Sequence, residues 1–67
     1  MTITINGRKE ELQADFSVNS YLIEKKIEPS TVVIEYNLNI LPKEDWAKTQ
    51  LKNNDKVEIL RFVGGGQ

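Results

Sequence analysis

Thr2-Ile3-Thr4-Ile5-Asn6-Gly7-Arg8-Lys9 is the stretch from which the fold can be read. Polar and apolar residues alternate from Thr2 to Asn6 and put Ile3 and Ile5 on one face of an extended segment. Asn-Gly is the favoured pair for a type I′ turn, in which both central residues need positive φ. The pattern predicts a hairpin with its return strand over Arg8 to Gln13. The centre of that strand, Lys9-Glu10-Glu11, is polar, so it is expected to lie exposed or at a sheet edge. The acidic pair then reads as a solvated face, not a catalytic dyad.

Downstream, Ser17 suits a helix N-cap because its hydroxyl can accept from free backbone N–H groups of the first turn. Val18, Tyr21, Leu22 and the stem of Lys25 recur at helical spacing, predicting an amphipathic helix of about ten residues that stops before Pro29. Lys25-Lys26 marks its solvated end, where cations suit the helix dipole. Thr31 to Tyr36 is rich in β-branched residues and reads as a strand, followed by a turn at Asn37-Leu38-Asn39 and a short extended piece ending at Ile40-Leu41. Lys43 to Thr49 is expected to form one or two helical turns behind Pro42, with Trp46 folded back on the body. After a second turn at Asn53-Asn54-Asp55, Val57 to Val63 is the last strand.

That order predicts an α+β domain over residues 1–63, with a mixed sheet of four to five strands, one main helix and a short second helix. Ile3, Ile5, Val18, Leu22, Val57 and Ile59 are expected to share its core. Leu60 and Phe62 fall on the opposite face of the last strand. Either they pack under a loop, or they form an exposed patch. Residues 64–67, Gly64-Gly65-Gly66-Gln67, are expected to be a flexible tail.

Composition narrows the function. With 67 residues the chain offers a thin core and no room for a deep catalytic cavity. It has no Cys and no His, which counts against thiolate nucleophiles, imidazole bases, haem ligation and most transition-metal sites. Nine Lys and Arg against ten Asp and Glu leave a net charge of −1, without the basic face of a nucleic-acid binder. There is no secretory signal pattern and no stretch of membrane-spanning length, so the expected location is the cytoplasm.

Taken together, the order of elements, the segment Asn39-Ile40-Leu41-Pro42-Lys43-Glu44-Asp45-Trp46, the turn Asn54-Asp55 and the ending Phe62-Val63-Gly64-Gly65-Gly66 resemble the ThiS sulfur carriers of thiamine biosynthesis. The resemblance covers essentially the whole chain. It implies a ubiquitin-like β-grasp fold and a protein that is a co-substrate and not an enzyme, with no cofactor of its own. A ThiF-like activating enzyme would adenylate the terminal glycine carboxylate, here Gly66, with Gly64 and Gly65 threading the tail into the nucleotide site. A sulfur donor such as a cysteine desulfurase would then supply the thiocarboxylate sulfur, which passes to a ThiG-like thiazole synthase. In a chain without cysteine, carried sulfur has to sit on the main-chain carboxyl group, and glycines let that group approach closely where a Cβ would clash. Leu60 and Phe62 are the candidate docking residues for the activating enzyme. Gln67 departs from the family pattern, which ends on a glycine: it is either removed before use, or an addition, or the mark of a copy that is not a substrate. Within the same fold, a molybdopterin-type sulfur carrier and a ubiquitin-like protein modifier remain alternatives, since both also begin with adenylation.

Overall fold

In the computed structural model of the chain, the described residues are 1–62. Val63 and the glycine tail expected over 64–67 lie outside them. The elements are strands β1 (Thr2–Ile5) and β2 (Arg8–Glu11), helix α1 (Val18–Glu24), and strands β3 (Val32–Tyr36), β4 (Asn39–Leu41) and β5 (Lys56–Arg61). Single 3₁₀ turns sit at Pro29–Thr31 and Lys43–Asp45. The five strands form one mixed sheet in the order β2-β1-β5-β3-β4, with β1 and β5 parallel and the other pairs antiparallel.

The first hairpin follows from its turn chemistry. Asn6 and Gly7 have φ of 49° and 81°, and the register pairs Ile5 with Arg8 and Thr2 with Glu11. β2 is an edge strand, as its polar sequence predicts. Because successive side chains alternate across the sheet, its two acids part company. Glu10 accepts from the Tyr21 hydroxyl at 2.6 Å and pairs with Lys25 at 2.6 Å on the helix side. Glu11 accepts from Thr2 Oγ1 at 2.8 Å.

Ser17 caps α1: its hydroxyl accepts from the Ser20 N–H at 3.0 Å, while Ser20 Oγ accepts from the Ser17 N–H at 2.8 Å. The helix covers seven residues and not about ten. It ends early because Lys26 takes up the left-handed conformation, with φ of 59°. The N–H groups of Lys26 and Ile27 then bond back to Ile23 and Leu22 carbonyls, a Schellman closure made without glycine. The segment behind Pro42 is likewise shorter than expected, a single 3₁₀ turn with Pro42 at its N-cap.

The core lies between the sheet and α1. Ile3, Val18, Leu22 and Val57 are buried in it, and Ile5 and Ile59 pack against it partly buried. Tyr21, Val32 and Ile34 add to the same cluster, as do Leu12, Trp46 and Leu51 from the connections. Trp46 folds back as expected and donates its indole N–H to the Leu41 carbonyl at 3.0 Å. Among the described residues, Asp55 is the buried charged one, 7% exposed. Its carboxylate accepts from Tyr36 Oη at 2.6 Å, Asn37 Nδ2 at 3.1 Å and the Lys52 N–H at 2.7 Å, tying the β3–β4 turn to the loop that launches β5.

Candidate functional site

The strand that leads into the glycines occupies the middle of the sheet. β5 pairs with β3 from Tyr36↔Val57 to Val32↔Arg61, and the Phe62 N–H still donates to the Thr31 carbonyl at 3.1 Å. The domain therefore holds its last strand up to the final described residue. On the other side, β1 pairs with β5 only through Thr4↔Lys56 and Ile5↔Val57. Beyond that point Asn6 takes over with its side chain: Oδ1 accepts from the Ile59 N–H at 2.7 Å, and Nδ2 donates to the Ile59 carbonyl at 3.4 Å. One amide side chain thus stands in for the next residue of β1. The sequence marks Asn6 only as a turn former, because this second role depends on a partner 53 positions away.

Alternation along β5 sends Val57 and Ile59 into the core and Leu60 and Phe62 to the outer face of the sheet. They are 45% and 49% exposed, and no loop of the described residues covers them. On that face Leu60 stands opposite Val33 of β3, and Ile40 of the edge strand β4 is also exposed, at 60%. Apolar side chains of β3, β4 and β5 thus lie together on the outer face of the sheet, near the last described residue. Gly64, Gly65, Gly66 and Gln67 lie outside the described residues.

Among the described residues, no group of three or more Asp and Glu is placed to hold a metal ion. The perturbed acids and phenols belong to structural contacts. Lys25, and then Tyr21, lower the pKa of Glu10 by hydrogen bonding. Burial first, and then the Asp55 carboxylate, push Tyr36 up to about 12. Burial and Glu10 raise Tyr21 still further.

The sequence pattern of the ThiS family matches residues 2–66. This chain belongs to the ThiS family. The sulfur carrier protein ThiS of Bacillus subtilis is 31% identical to it over 65 residues, spanning 96% of this chain and 98% of that protein. The crystal structure of the thiamine biosynthesis protein ThiS from Geobacter metallireducens superposes with a TM-score of 0.85 at 32% identity, covering 98% of this chain and all of that one. The shared architecture is the ubiquitin-like β-grasp that the resemblance to ThiS implies. A thiazole synthase of Paramagnetospirillum magneticum is 36% identical over 66 residues. This chain spans 20% of the length of that synthase and 21% of a second one, from Magnetococcus marinus. The ThiS match stops at Gly66 and leaves Gln67 beyond it.

Proposed function

We propose that this ThiS-family chain is a sulfur carrier for thiamine biosynthesis that works through a thiocarboxylate on Gly66. The observation that carries the reading is the family match over residues 2–66, which runs through the body of the domain and ends on the third glycine. Chemistry agrees with it. The chain has no cysteine, so a sulfur atom has to be borne on a carboxyl carbon. Making that carboxyl reactive takes an acyl adenylate, in which the carboxylate oxygen attacks the α-phosphate of ATP and pyrophosphate leaves. A sulfur donor then displaces AMP.

Covalent geometry constrains the enzyme that performs the first step. Gly66 lies four residues beyond Phe62 and can be no further from it than about 14 Å. A ThiF-like adenylating enzyme that takes Gly66 into its nucleotide site therefore has to meet the domain at the end where Leu60 and Phe62 are exposed. Gly64 and Gly65 pass through the channel between them. The sulfur then goes from Gly66 to a ThiG-like thiazole synthase. Two proteins named thiazole synthase that contain a stretch similar to this chain within a much longer sequence support that partner. A cysteine desulfurase is the proposed source of sulfur. The cytoplasm is the proposed location of these reactions. Among the described residues no helix is long and apolar enough to cross a membrane.

Gln67 has to be removed first. With it attached, the carboxylate sits one residue further on, beside a Cβ and an amide side chain, and a misplacement of about 1 Å can cost on the order of a hundredfold in rate. The test supplies the full chain and the form ending at Gly66 with ATP, the adenylating enzyme and a sulfur source. The form ending at Gly66 should exchange one carboxyl oxygen for sulfur, read as a mass shift, and the longer form should be a poor substrate. Equal yields with Gln67 retained would defeat the Gln67 argument, and no thiocarboxylate from either form would defeat the function. Adducts joining Gly66 to lysines of other proteins would favour a protein modifier instead.

A further inference from the structure

The pair of residues that makes the first turn is also a chemically reactive one. When glycine follows asparagine, its main-chain nitrogen is unshielded by a Cβ and can attack the side-chain amide carbon. A succinimide ring closes: the new bond is N–Cγ, the bond broken is Cγ–Nδ2, and the glycine N–H proton leaves with the amide nitrogen as ammonia. Water then opens the ring at one carbonyl or the other, giving aspartate or isoaspartate. Of the asparagines at 6, 19, 37, 39, 53 and 54, Asn6 alone precedes a glycine. Around Gly7 the attack is unobstructed. Both turn residues are exposed, a Cβ built on Gly7 would meet nothing within 4 Å beyond its chain neighbours, and the Gly7 N–H makes no hydrogen bond among the described residues.

The restraint falls on the other reactant. Asn6 Oδ1 accepts from the Ile59 N–H at 2.7 Å, Nδ2 donates to the Ile59 carbonyl at 3.4 Å, and the Asn6 N–H donates to the Val57 carbonyl at 3.0 Å. Ring closure expels Nδ2 and turns the side chain towards the peptide that follows it, so the bonds to Ile59 have to break on the way. We propose that Asn6 is a deamidation site governed by the fold: protected while its side chain is clamped on β5, and modified in chains where the end of β1 has come away. The modification then removes the clamp. An aspartate carboxylate has no donor for the Ile59 carbonyl, and isoaspartate routes the main chain through Cβ and Cγ, lengthening a turn whose register pairs Ile5 with Arg8. Since β1 pairs with β5 only at Thr4↔Lys56 and Ile5↔Val57, Asn6 is what flanks Ile59 on that side. Opening is reversible until the ring closes and lasting afterwards.

The test incubates the full wild-type chain at one temperature and one mildly alkaline pH, folded in buffer and unfolded in guanidinium chloride. Intact mass follows the conversion of amide to acid, and peptide mapping places it. In the unfolded chain Asn6 should convert ahead of the other asparagines. In the folded chain it should convert about tenfold more slowly or less, the factor expected when two hydrogen bonds of modest net strength must open first. In parallel, Asn6→Gly keeps a Gly-Gly pair that suits the same turn and removes only the clamp. Amide exchange at Ile59 should then speed up by about tenfold or more, while that at Leu60, which pairs with Val33 of β3, changes little. Equal Asn6 rates in the folded and unfolded chain would overturn the proposal, as would conversion placed mainly at another asparagine. Ile59 exchange that Asn6→Gly leaves unchanged would overturn it too. Should that variant fail to fold, the two wild-type rates decide alone.

Discussion

Replacing Asp55 with Ala removes one side chain and three hydrogen bonds at once, from Tyr36 Oη, Asn37 Nδ2 and the Lys52 N–H. Bonds to an ionised acceptor are worth about 1.5–3 kcal/mol each when well buried. Here Asn37 and Lys52 are exposed and recover water when the carboxylate goes, so about 1 kcal/mol per bond is the working figure, and about 3 kcal/mol in all. A domain of this length has roughly 3–10 kcal/mol of stability, so the change consumes a large share of it. The melting temperature should fall by about 12–24 °C. Two further variants apportion the loss. Tyr36→Phe removes one bond and should cost about 1 kcal/mol. Asp55→Asn keeps the shape but turns one acceptor oxygen into a donor, and should fall between the two. Urea unfolding followed by fluorescence of Trp46, the single tryptophan, provides the assay, since that ring is buried in the core. If Asp55→Ala cost no more than Tyr36→Phe, the carboxylate would not be the hub of this network and the reasoning would fail.

Three other outcomes are expected. Ser17→Ala should cost about 1 kcal/mol of stability through loss of the helix cap, measured in the same unfolding assay. Stability should also depend on pH at both ends. Tyr36 is held at about 12, above its unfolded value, so its share is complete below pH 10 and lost as pH rises from 10 towards 12. Glu10 is lowered by Lys25 and Tyr21, so its share is complete above the ordinary glutamate value and lost as pH falls through the lowered one. Tyr36→Phe and Glu10→Gln should each flatten their own limb of the stability–pH curve. Finally, exchanging both Leu60 and Phe62 for Ser should leave the melting temperature within a few degrees, because both are about half exposed, while raising the carrier's KM for adenylation. A large drop in melting temperature would assign them to the core.

What could be read from the sequence is what neighbouring residues decide among themselves. Asn6-Gly7 specifies its turn by backbone conformation, Ser17 reaches a donor three residues on, and Ile3 and Ile5 alternate with threonines. Three core members outside the expected set, Leu51, Leu12 and Ile34, owe their burial to pairing that no local period reveals. Leu51 is buried because its N–H bonds the Phe16 carbonyl, next to Val18 N–H bonded to the Thr49 carbonyl, which lays the segment before the last strand against the start of the helix. Leu12 follows a polar run and shows no period. Ile34 lay in a segment already read as a strand, but Val33 and Ile34 are equally apolar and only the pairing with β5 decides which faces inward. Asp55 looked like a turn former because a buried carboxylate is recognisable only once Tyr36 and Asn37 are beside it. At the candidate site, the glycines and the apolar Leu60 and Phe62 stand out in the sequence. The bond between the Asn6 side chain and Ile59 does not, since it exists only once β1 lies beside β5.

The position of β5 between β1 and β3 has a consequence for how the molecule is made. During synthesis the two outer hairpins, β1–β2 and β3–β4, emerge first, but they have no direct contact in the sheet order and neither encloses a core alone. An isolated two-stranded hairpin is marginal in water. The strand that joins them comes last and pairs across some fifty residues with β1, so much of the favourable energy arrives only after a long loop has closed. Assembly should therefore be nearly all-or-none, with no stable intermediate that lacks the final strand. The glycines follow that strand in sequence, so under the proposed function the carboxyl group to be activated would be offered to its enzyme only by chains that have already folded.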